Sequence, residues 1–146
     1  MRYLTKEWYI ACQTDPMTPE AQRQLEQINR AYRAAQTREA LPEGLLQRFF
    51  FHDGVVREII AGTDYTLRID SPYSGFHTVT FCGARLKQEQ PRAGAVWLYR
   101  EVYRHKSGTG YEAHILFEAP SGPAHRGIRP SDLLDVKIIC EEIRFA

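Results

Sequence analysis

"RFFFHDGVVREI", residues 48–59, is the stretch at which one kind of sequence pattern stops and another begins. Before it the apolar residues recur at helical spacing. Thr18 can cap a helix with Pro19 at its first position and Glu20 in its first turn, and Ala21, Leu25, Ile28 and Tyr32 then form one apolar stripe. Further upstream Thr5 can cap a short helix, "KEWYIACQ", with Trp8, Tyr9 and Cys12 on one side. Pro42 and Gly44 interrupt the pattern, and "LLQRFFF" runs as a short apolar segment up to His52.

After His52 the runs become short and rich in β-branched and aromatic residues: "GVVREII", "YTLRID", "FHTVTFCGARL", "AVWLYREVYRH", "YEAHILFE" and "LLDVKIICEEIRF". Glycine, proline, serine and aspartate separate them, as turns require. Six such runs without helical crossovers predict an antiparallel meander. The expected fold is therefore α+β, with amino-terminal helices packed on an antiparallel sheet of about six strands, and a curl toward a barrel as a further option. A single domain over residues 1–146 is expected, its helical part (1–51) and its β part (52–146) sharing one core. For the hairpin at residues 99–118, a Lys106–Gly110 loop places Arg104 opposite Glu112 and Tyr99 opposite Phe117.

Composition narrows the function classes. With 19 basic against 18 acidic residues the chain has no large field to draw in nucleic acid or an anionic membrane. No apolar run is long enough to span a bilayer, and "MRYLTKEWYIACQTDP" lacks the apolar core of a signal peptide. Cys12, Cys82 and Cys140 are odd in number and far apart, which favours reduced thiols in a cytoplasmic protein. The five histidines, His52, His77, His105, His114 and His125, show no metal-ligand spacing, so neither a metal nor another cofactor is expected.

Two constellations could carry chemistry. His52-Asp53 resembles the His-Asp dyad of metal-dependent phosphohydrolases, but there the pair sits in a helix, whereas Gly54 and a strand follow it here. The turn reading is that Asp53-Gly54 bends the chain and the carboxylate accepts backbone N–H groups ahead of the strand. The second constellation is Glu101: strict alternation puts Trp97, Tyr99, Glu101, Tyr103 and His105 on one face of a strand. A carboxylate among aromatics is either desolvated, with a raised pKa, or held by tyrosine hydroxyls or an arginine.

The opening "MRYLTKEWY", the His-Asp pair in "FFFHDGVVREI" and the later strand "WLYREVY" come in the order seen in a bacterial family of small uncharacterised proteins, which the chain resembles. Members begin Met-Lys/Arg-Tyr-Phe/Leu-Thr-Lys-Glu-Trp-Tyr, and many have a longer helical portion. The resemblance implies membership of a domain family of unknown function and transfers no activity. The pair of runs "HDGVVREI" and "DYTLRID" also resembles a hairpin of immunity-type proteins of bacterial toxin systems, which neutralise a toxin by covering its active surface. The reading that follows is a binding protein, with another protein as partner and an aromatic sheet face of Trp97, Tyr99, Glu101 and Tyr103 as its site. Its competitor is a small hydrolase or isomerase with Glu101, or His52 and Asp53, as acid/base groups.

Overall fold

The computed structural model describes residues 1–87, 89–120 and 127–146. Three helices, α1 (Lys6–Cys12), α2 (Pro19–Arg38) and α3 (Leu45–Arg48), precede eight strands among the described residues: β1 (Gly54–Ala61), β2 (Tyr65–Ser71), β3 (Gly75–Cys82), β4 (Arg85–Leu86), β5 (Val96–Arg104), β6 (Tyr111–Glu118), β7 (Leu133–Cys140) and β8 (Glu142–Phe145). Both long helices start where the sequence predicts. Thr5 accepts the Trp8 N–H and Thr18 accepts the Ala21 N–H, each satisfying a backbone donor that the first helical turn leaves unpaired.

The strands form one antiparallel sheet in the order β4-β7-β6-β5-β1-β2-β3-β8. The expected six strands are eight because two of the predicted runs are broken. "FHTVTFCGARL" divides at Gly83 and Ala84 into β3 and β4, and "LLDVKIICEEIRF" divides at Glu141 into β7 and β8. The sheet is not closed, but β4, at one end of the order, follows β3 near the other end after only two residues. Three steps of the chain, from Cys82 to Arg85, reach about 10 Å, so the sheet must curl to bring its ends together. Cys82 pairs with Glu142 and Arg85 with Ile139, one register on both sides of the break, and the Glu141 N–H donates to the Cys82 carbonyl at 2.9 Å.

Two clusters of buried residues lie on the two faces of the sheet. On one face of the sheet every strand contributes to a cluster that includes Val56, Leu67, Phe81, Trp97, Ile115 and Ile138, plugged by Leu45, Phe49 and Phe51 from α3 and the segment after it. On the other face α1 and α2 pack through Leu4, Trp8, Tyr9, Leu25, Ile28 and Tyr32 onto Leu98, Leu116 and Leu133. The helical third is thus divided between the two sides of the sheet.

The β5–β6 hairpin is one residue out of the expected register, with Arg104 opposite Tyr111 and Tyr103 opposite Glu112. The loop takes His105 from the strand, since its N–H already closes the turn onto the Gly110 carbonyl at 3.2 Å. Gly110 fixes that turn: its φ is +74°, and a Cβ there would run into the Cys140 carbonyl of β7.

β5 pairs with β1 only at Val96 and Trp97, so its remaining edge needs partners elsewhere. α2 supplies them. The Tyr32 hydroxyl donates to the Arg100 carbonyl (3.0 Å), the Gln36 amide exchanges two bonds with the Val102 backbone (2.9 and 3.0 Å), and the Glu39 carboxylate accepts the Arg104 N–H (2.7 Å). Alternate strand residues lie about 6.6 Å apart and a helix advances about 6 Å in four residues. Side chains one turn apart on a helix can therefore stand in for a neighbouring strand and blunt an open edge.

Candidate functional site

Strict alternation fails on β5 at a bulge between Trp97 and Tyr99. The extra residue puts Leu98 and Tyr99 on the helix-covered side and leaves Trp97 on the other. Trp97 is consequently parted from the three residues it was expected to join. It lies fully buried with its ring edge-on to Phe49 (5.1 Å), Phe51 (5.3 Å) and Phe117 (5.3 Å).

Tyr99, Glu101 and Tyr103 do share a face, but an exposed aromatic surface it is not. Tyr99 packs edge-on against Trp8 at 5.1 Å, and Tyr103 lies beneath the Arg2 guanidinium, 3.7 Å from its ring centroid. Glu101 is wholly buried. Its Oε1 accepts the N–H groups of Tyr3 (2.8 Å) and Leu4 (2.7 Å), and its Oε2 accepts the Arg2 N–H (2.7 Å) and the Tyr103 hydroxyl (2.8 Å). Burial alone would raise its pKa; the three backbone N–H groups and the hydroxyl more than offset this and hold the carboxyl below its ordinary value. Of the two fates open to such a carboxylate, the tyrosine-held one is realised, together with three main-chain donors. Tyr103, buried and bonded to that carboxylate, is pushed up.

His52-Asp53 is a turn. The Asp53 N–H donates to the Trp97 carbonyl (2.8 Å), and the Gly54 N–H to the Phe51 carbonyl (2.8 Å). Asp53 has φ +61°, a left-handed conformation that aspartate tolerates better than most residues. Gly54 must be glycine, since a Cβ there would lie 2.7 Å from Ile69 Cγ2. His52 Nδ1 lies 2.6 Å from the Leu98 carbonyl and so carries the proton, while Nε2 stays 3.7 Å from Asp53 Oδ1. Asp53 Oδ2 accepts instead from Tyr73 at 3.1 Å. Among the described residues no hydrogen bond joins Glu101 to His52 or Asp53.

Around this turn lie large apolar side chains that are exposed. Phe50, 57% exposed, stacks on His52 (6.2 Å), while Tyr73 (74%) and Phe76 (78%) flank the β2–β3 turn. Phe50 and Phe51 line a cleft of about 350 Å³ together with Arg48, Ser74, His77 and Phe145.

Sequence reasoning missed a second polar cluster. Glu112 and His114 occupy one face of β6, and Lys137 stands opposite His114 on β7. Glu112 Oε1 receives His114 Nε2 (2.7 Å), Lys137 Nζ (3.0 Å) and Arg2 Nη2 (3.3 Å). Burial would raise the Glu112 pKa, but His114 and Lys137 outweigh it and bring the carboxyl down to about 2. Burial, aided by the nearby Met1 amino group, lowers His114 in turn against the pull of Glu112. A neutral imidazole donating to a carboxylate follows. The available signal was a glutamate and a histidine two apart in a predicted strand. His125 lies outside the described residues, and among those residues no three His, Cys, Asp or Glu side chains converge to hold a metal.

A search of curated proteins and of solved structures finds no match to the chain. A family model described as "Protein of unknown function (DUF4085)" matches residues 12–124. The matched span contains both "HDGVVREI" and "WLYREVY", starts after "MRYLTKEWY", and covers well over half of the chain. By that match the chain belongs to the DUF4085 family of proteins of unknown function.

Proposed function

We propose that the protein is a binding protein that docks another protein through the end of the molecule around His52-Asp53. The observation that carries this reading is the exposure of Phe50, Tyr73 and Phe76 at that end. Large aromatics left in water are costly to a monomer and supply much of the energy of an interface once covered. The β1–β2 hairpin that resembles immunity-type proteins starts at Gly54 and returns at Ser71, so its open end lies at the same place. An immunity-type role, in which the aromatic end covers a toxin's active surface, is the form of binding this supports. A cytoplasmic setting belongs to the proposal and is supported by the free thiols of Cys12, Cys82 and Cys140. Acid/base work by Glu101 would require releasing donors that already occupy both of its oxygens.

The test is the triple variant Phe50→Ser, Tyr73→Ser and Phe76→Ser. Because the three side chains are exposed, thermal unfolding should move little. Stoichiometric co-purification of a partner from the native host should disappear. Retention of the partner by the triple variant, or no stoichiometric partner with the parent protein, would remove the proposal.

A further inference from the structure

At the other end of the sheet a cleft of about 620 Å³ opens between β6, β7 and the amino-terminal segment. Its walls gather the cations Arg2, Lys87, Arg104, Lys106 and Lys137 around a single carboxylate, Glu112, in a chain whose net charge is +1. The near-balance of the whole chain thus conceals a local excess of positive charge. The chain runs that bring these residues together are distant in sequence: the loop after β5, the strand pair β6–β7, and Lys87, whose N–H donates to the Lys137 carbonyl at 3.0 Å.

The cations divide into two sets. Arg2 and Lys137 are already held by Glu112 Oε1, with His114 as the third donor to the same atom. Lys87 and Lys106 make no ion pair among the described residues, and the Arg104 guanidinium meets only the Ala40 carbonyl (3.2 Å) and the Tyr111 ring. The Glu39 carboxylate is engaged by the Arg104 backbone N–H. Two cations without a carboxylate partner among the described residues, Lys87 and Lys106, therefore edge a cleft whose deeper charges are fixed in place. That is the arrangement a phosphate group needs, since charge-assisted bonds gain most where the cations are not already neutralised.

Deeper in, the polar groups are of a different kind. Glu112 Oε2 has no hydrogen-bond partner among the described residues, because all three donors converge on Oε1. His114, 6% exposed, has an Nδ1 that is buried and unpartnered. Both are acceptors and call for O–H or N–H donors. The two tyrosine faces nearby are already covered, Tyr103 by Arg2 and Tyr111 by Arg104.

The geometry points to a binding site for a phosphorylated sugar or polyol, its phosphate on Lys87 and Lys106 and a hydroxyl on Glu112 Oε2. This site is separate from the aromatic end, and either proposal can fail without the other.

The experiment uses the full chain and three probes, ribose 5-phosphate, ribose and inorganic phosphate, with binding read by calorimetry and by amide shifts of residues 104–106 and 112–114. Ribose 5-phosphate should bind more tightly than inorganic phosphate by about tenfold, and ribose should not bind measurably. The double variant Lys87→Ala and Lys106→Ala changes two exposed side chains and should fold normally while losing about tenfold in affinity. Added salt should weaken binding as well. Equal affinity for ribose 5-phosphate and phosphate would overturn the hydroxyl assignment. No binding of ribose 5-phosphate, or binding unchanged in the double variant, would overturn the site. Lysine-dependent retention of a short oligonucleotide or of anionic vesicles, with no sugar phosphate bound, would replace it with a macromolecular surface.

Discussion

Glu101 shows how far residue chemistry alone can be read. Its aromatic neighbours on the strand restricted it to two fates, desolvation or satisfaction, and Tyr103 was in view as a donor; the main-chain N–H groups of residues 2–4 were not, because nothing local links positions 97 to 99 residues apart. Replacing it by Gln turns one acceptor oxygen into an NH₂ group facing backbone donors. Glu101→Gln should therefore cost about 3 kcal/mol in urea unfolding, with faster amide exchange at Arg2, Tyr3 and Leu4. A loss under about 0.5 kcal/mol, the scale of a neutral surface change, would show that the clasp carries little. Trp97 was misplaced for a different reason: alternation assumes an unbroken pleat, and no residue around Leu98 announces the bulge. His52-Asp53-Gly54 was readable as a turn because Asp-Gly is turn chemistry wherever it occurs. His52→Ala should cost about 1 kcal/mol through the lost bond to the Leu98 carbonyl.

At the scale of elements, the starts of α1 and α2 and the existence of the strand runs were legible in caps and periodicity. The strand count was not, since Gly83 and Glu141 break runs whose residue types remain strand-like throughout. The apolar stripe of α2 was legible as far as Tyr32, and its continuation through Gln36 and Glu39 was not, because polar residues on that line look like solvent-facing ones. Gln36 is in fact buried, its amide completing the edge of β5 at Val102. Gln36→Leu keeps the volume and removes both bonds, leaving a buried N–H and C=O unpaired. The expected cost is about 2–4 kcal/mol by chemical denaturation. Gln36→Glu should also destabilise, since it keeps the acceptor for Val102 but loses the donor. If Gln36→Leu is as stable as the parent, the helix does not serve as a surrogate strand.

Over the whole molecule, two buried groups and one partly buried one give stability the same pH dependence. Glu101 and Glu112 are held below their ordinary value of 4.5, and His114 below its ordinary 6.5. A group with a depressed folded pKa contributes stability above its unfolded pKa and loses it as the pH falls through the folded value. His114 should begin the decline below 6.5, and the carboxylates should deepen it from 4.5 downward, for Glu112 as far as about 2. The urea midpoint should hence be highest near neutrality and fall steadily between about pH 6 and pH 3. A midpoint that rises on acidification would contradict the assignment of these groups. The overall balance of charge was plain from the sequence, yet the cationic cleft was invisible, because its members come from five separate places and meet only when the sheet curls.

The anchoring of residues 2–4 on Glu101 has a consequence for how the protein is made. Arg2, Tyr3 and Leu4 are synthesised almost a hundred residues before the carboxylate that takes their N–H groups, separations of 97 to 99 positions. During translation that segment has no partner, and at about 5–20 residues per second the wait is on the order of ten seconds. Contacts of such long range form late, after the loop between them has been closed by other structure. The segment is thus among the last to be fastened, and a ribosome-bound chain halted short of Glu101 should leave it open to protease.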